Sequence, residues 1–214
     1  MSFTMSQETP KTVSSANDLY NDINANIILW SSDNVDFRVF TCVLSLALPV
    51  FRDVFTLRSV LEHPSPGPQS LPVILMLETS KTLEALLKLL YPGTAVKLKD
   101  FEDAKALIAA VTKCDMSERV MGHLKELIAA HFLKEPYSIS LYSIACQYGW
   151  QDVAEMAARE TLQISDLGRA SYYVPELDNL SASAYHRLLQ YYYNCGENLR
   201  HLDVKDDWFY PRHP

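Results

Sequence analysis

NIILWSSDNVDFRVFTCVLSLALPVFRDVFT, residues 26–56, passes from an apolar strand through a polar turn to a second strand and then into an apolar helix. Ile27 to Trp30 are branched or aromatic, and Ser31 to Asn34 supply turn chemistry. Val35, Phe37 and Val39 alternate with Asp36, Arg38 and Phe40 at the period of a strand with one wet face. The reading is a hairpin feeding a helix.

Working outward, the next strand is expected over Val73 to Leu77, as the central strand of a small sheet, reached through the turn-rich loop HPSPGPQ at residues 63–69. Helices follow. Leu83, Leu86, Leu87 and Leu90 share one face before Pro92 and Gly93, and Asp100 is placed to cap a helix carrying Ala104, Leu107, Ile108 and Val111. Ser117 precedes a stripe of Val120, Leu124, Leu127, Ile128 and His131. Beyond Pro136, two stripes separated by Gly149 are expected: Leu141, Ile144, Ala145 and Tyr148, then Ala154, Ala157, Ala158, Thr161 and Leu162. Ser181 caps the last helix, with Tyr185, Leu188, Leu189 and Tyr192 on one face. One small sheet with many helices predicts an α+β fold, and the strands are too few for a doubly wound nucleotide-binding sheet.

LSLALPVFRDVF resembles the segment near the start of BTB/POZ domains, with Leu44, Phe51, Arg52, Asp53 and Phe55 matching its pattern. The strand at Val73 to Leu77 and the helix SKTLEALLKLLYPG look like the next two elements, and the resemblance is closest to the fungal, mushroom-type BTB/POZ family over roughly residues 19–199. It implies a small mixed sheet flanked by helices and followed by an all-helical extension. The expected organisation is a disordered tail over 1–17, a BTB/POZ-like domain over 18–134, a helical extension over 135–200 and a flexible tail over 201–214. The resemblance also implies protein association, as a homodimer or by docking to another protein such as a cullin-type ubiquitin-ligase scaffold. Where the family has an acidic residue opening its first strand, and His plus a basic residue before the helix, this chain has Asn26, Phe40 and Thr41. That change replaces a charged pocket with a neutral, drier one and argues against recruitment of corepressor peptides.

A net charge of -7 and a pI near 5.3 argue against a nucleic-acid surface. The longest apolar run, residues 42–51, is too short for a membrane span, and the polar opening lacks the apolar core of a signal peptide. Cys42, Cys114, Cys146 and Cys195 are scattered without C-x-x-C, as expected of reduced thiols in an intracellular protein. The glycines never cluster into a phosphate cradle, and neither G-x-S-x-G nor H-E-x-x-H occurs. His123 and His131 are read as surface histidines rather than a metal pair, and no catalytic, cofactor-binding or metal residue is assigned.

The expected function is a non-enzymatic protein–protein interaction module. Phe51, Val54, Phe55 and Leu57 crowd more apolar surface onto one short region than a small sheet covers, so they are the expected interface, with Ile27, Leu29 and Phe37 in the core. The alternative is a small hydrolase or redox enzyme pairing Cys146 or Cys195 with His186. The run Tyr191 to Tyr193 is read as core plus rim, and Asp206 to Tyr210 as part of the flexible tail rather than as an acidic–aromatic motif for a groove.

Overall fold

β2 (Ile27–Trp30) and β3 (Val35–Val39) pair antiparallel, with Ile27 opposite Val39 and Trp30 opposite Asp36. The structure, a computed structural model, describes residues 14–15, 18–48, 51–52, 71–91 and 93–203. The hairpin turn closes through Ser31, whose N–H donates to the Val35 carbonyl, and through Asn34, which takes the left-handed conformation at φ 63° that asparagine tolerates. Ile27, Leu29, Phe37 and Val39 are buried, as the alternation predicts.

α1 (Thr41–Ala47) starts at once after β3. Phe40, its N-cap, has no side-chain acceptor to offer, and Asn26, the residue just before β2, supplies one. The Thr41 N–H donates to Asn26 Oδ1, and Asn26 Nδ2 donates to Thr41 Oγ1, both at 2.8 Å. A neutral amide–hydroxyl pair therefore closes the start of α1.

β4 (Val73–Leu75) lies parallel to β2, and the two-residue strand β1 (Ser14–Ser15) lies parallel to β3. The strand order is β1-β3-β2-β4. Two expectations change here. Among the described residues β4 stands at the edge of the sheet rather than at its centre, and Ser14 and Ser15, within the expected tail, are paired with Val35 and Asp36.

α2 (Ser80–Leu90) buries Leu83, Leu86 and Leu87 and ends before Gly93, whose φ of 79° suits a residue without a Cβ. Its first turn is tied to the hairpin by Asp33, which accepts from the Ser80 N–H at 2.7 Å and from Ser80 Oγ at 2.6 Å. These bonds, the hydroxyl first, hold the Asp33 carboxyl down at about 2. α3 (Phe101–Lys113) is capped by Asp100 as predicted and buries Ala104, Leu107, Ile108 and Val111.

The chain divides into two compact units at Leu124/Lys125, inside α4 (Glu118–Phe132), whereas the sequence reading ended its first domain at residue 134. Leu124 and Ile128 of α4 are buried, but His131, expected on the same stripe, is exposed and Phe132 is buried instead. In the second unit α5 (Ser138–Gln147) and α6 (Gln151–Glu160) form a helical hairpin turned by Gly149 at φ 70°. α6 stops at Glu160 and passes into a 3-10 turn, Thr161–Gln163, which carries Leu162 out of the expected stripe to 39% exposure. α7 (Ala182–Asp203) is capped by Ser181 Oγ and extends past the expected end at residue 200.

α5 departs furthest from its reading. Every residue from Ser138 to Ala145 is buried, so the helix has no wet face until its last two residues. Ser143 Oγ donates to the Ile139 carbonyl at 3.0 Å, and Ser140 Oγ donates to the buried Glu176 carboxylate at 2.7 Å. The helix is enclosed by α6 and by the 3-10 turn Pro175–Asn179.

Candidate interaction edge

The strand β4 sits in the run LPVILML, residues 71–77. Ile28 N–H donates to the Pro72 carbonyl and Met76 N–H to the Trp30 carbonyl, so residues 72 and 76 turn their backbone groups toward β2. By the two-residue period of a strand, Val73 and Leu75 turn theirs toward the outer edge, with Leu77 in the bend just beyond β4. Among the described residues nothing pairs with that edge. The same three residues carry their side chains outward, at 43%, 72% and 80% exposure. Single exposed apolar residues are ordinary, and Ile23 and Leu46 are examples. Three in alternation along an unpaired edge present an apolar row and backbone donors and acceptors together.

Beside the edge, and bordered by Leu75 and Leu77 themselves, is a cavity of about 300 Å³ whose other lining residues are Phe51, Ile74, Met76, Glu78, Lys113 and Cys114. Glu78 Oε1 accepts from Lys113 Nζ at 2.9 Å, while Glu78 Oε2 is buried without a hydrogen-bond partner among the described residues. Burial, with the Glu78 carboxylate beside it, pushes the Cys114 thiol up, which suppresses its reactivity.

Phe51, the one expected interface residue that the structure describes, is only 6% exposed. It is packed within its own chain beside this cavity and is not an exposed anchor; Val54, Phe55 and Leu57 lie outside the described residues. The residues the sequence reading missed are Val73, Leu75 and Leu77. Their uninterrupted apolar run reads as a strand buried on both faces.

The Cys/His alternative fares differently. Cys146 lines a larger cavity in the second unit, but neither His186 nor Cys195 is among the residues lining it. His123, His131 and His186 are all exposed, and among the described residues no group of three His, Cys, Asp or Glu side chains is placed to hold a metal ion. No helix among the described residues is long and apolar enough to cross a membrane. Compared with known proteins, the chain matches no family model and no curated protein.

Proposed function

We propose that the chain is a non-enzymatic protein–protein interaction module whose first unit is a BTB/POZ-like domain, and that it self-associates through β4. The order hairpin, helix, parallel strand, helix supports the family reading. The open edge carrying Val73, Leu75 and Leu77 supports the association. Two copies related by a two-fold axis lay β4 antiparallel against β4, which continues the sheet and brings the apolar rows together. A strand this short buries a modest area, so the dimer is weak and concentration-dependent. Four free cysteines fit a reducing compartment.

Light scattering after size exclusion, over a dilution series, tests the reading. The native chain is expected to shift toward dimer as concentration rises, and Leu75→Lys/Leu77→Lys to raise the dissociation constant at least about tenfold with helicity unchanged. A chain monomeric throughout the micromolar range that captures a cullin-type scaffold through the same edge contradicts self-association and makes the module an adaptor.

A further inference from the structure

The larger cavity, about 720 Å³, lies wholly within the second unit. Its apolar floor is Ala145, Ala154, Ala158 and Leu188, so three alanines leave open the space that larger residues would fill where α5, α6 and α7 meet. Two tyrosines border it. Tyr142 is fixed by the bond its hydroxyl donates to the Ala184 carbonyl at 2.9 Å; burial, then the Cys146 thiol, push its hydroxyl up to about 12, so it stays a neutral donor. Tyr191 lies across from it on α7, beside Arg159 and Cys195.

The charge around the opening is uneven. Arg159 from α6 and Arg187 from α7 both line the cavity, and neither makes an ion pair among the described residues. The sole carboxylate among the lining residues, Glu155, accepts from Gln151 Nε2 at 3.4 Å. A guanidinium stays charged at any physiological pH and matches a planar or tetrahedral oxyanion with two donors at once. The volume is that of a small-molecule site rather than a peptide groove.

We propose that this cavity binds a small amphiphilic anion, a carboxylate or phosphate ester on an apolar body. Arg159 and Arg187 hold the anionic group, and the alanine floor with Leu188 covers the rest. The acidic–aromatic segment Asp206 to Tyr210 lies outside the described residues. The site is independent of the β4 edge, since every lining residue belongs to the second unit.

Fluorescence titration of the full chain with 8-anilinonaphthalene-1-sulfonate, and with the uncharged N-phenyl-1-naphthylamine, tests the assignment. Arg159→Gln/Arg187→Gln is expected to weaken the sulfonate dye about tenfold and the uncharged dye less than about twofold, which is what loss of two charge-assisted contacts entails. Ala154→Leu is expected to weaken both dyes by filling the floor. The control Lys97→Gln/Lys99→Gln removes two exposed charges from the first unit and is expected to change neither. If the double arginine variant loses helicity, Arg187→Gln alone carries the test with an expected weakening of about threefold. Unchanged sulfonate binding in the arginine variants, or an equal loss in the lysine control, overturns the proposal.

Discussion

β4 and α5 invert the usual relation between residue type and burial. In β4 the apolar Val73 and Leu75, with Leu77 just beyond, face outward on an edge left unpaired among the described residues; in α5 the polar Ser140 and Ser143 are enclosed. The cause is the same in both. Burial is set by what covers a segment, and a side chain tolerates either side if its hydrogen bonds are met or if a partner can cover it. Serine suits a crowded helix because it is small and returns its hydroxyl to the preceding turn, as Ser143 does to Ile139. A leucine on an edge strand has no such internal remedy.

Substitutions at the two places should separate sharply. The largest effect is expected from Leu141→Ala in α5, fully enclosed, which should lose about 3 kcal/mol in urea unfolding followed by circular dichroism. Next is Ser140→Ala, which removes a donor from the buried Glu176 carboxylate and should lose about 1–2 kcal/mol.

Asp33→Ala comes third, at about 1 kcal/mol, because it frees the first turn of α2 from the hairpin. Its folded carboxyl titrates at about 2, below its ordinary value of 3.8, so the stabilisation is present above about pH 4 and lost as pH falls toward 2. Unfolding curves of native and variant chains should therefore converge across that window. Smallest is Leu75→Ala on the edge, expected to stay within about 0.5 kcal/mol when measured at concentrations where the chain is monomeric. A loss at Leu75 comparable with that at Leu141 would erase the contrast.

Much of the fold was legible because local signals agreed with one another. The strand alternation at Val35, Phe37 and Val39, the caps at Asp100 and Ser181, and Gly93 and Gly149 at the turns each act within a few residues, so sequence alone carries them. The Asn26–Thr41 pair was half legible. The missing charge was visible, but the reciprocal bond depends on two residues 15 apart in sequence meeting at the start of α1.

The candidate edge was not legible, since an apolar run is the same string in a central strand and an edge strand, and strand order is a non-local property. The same holds for Phe51. Its apolar character was plain, and its enclosure beside Ile74 and Cys114 came from elements distant in sequence. Arg159 and Arg187 come together only because α6 and α7 pack in the same unit, and nothing in their spacing announces a shared cavity.

Hydrogen exchange of the backbone amides of Val73, Leu75 and Leu77, followed over a concentration series, bears most directly on the edge. The Leu75 amide should exchange progressively more slowly as concentration rises, while that of Ile74, turned toward β2, stays constant. A Leu75 amide exchanging at one rate across the whole series would contradict self-association through this strand.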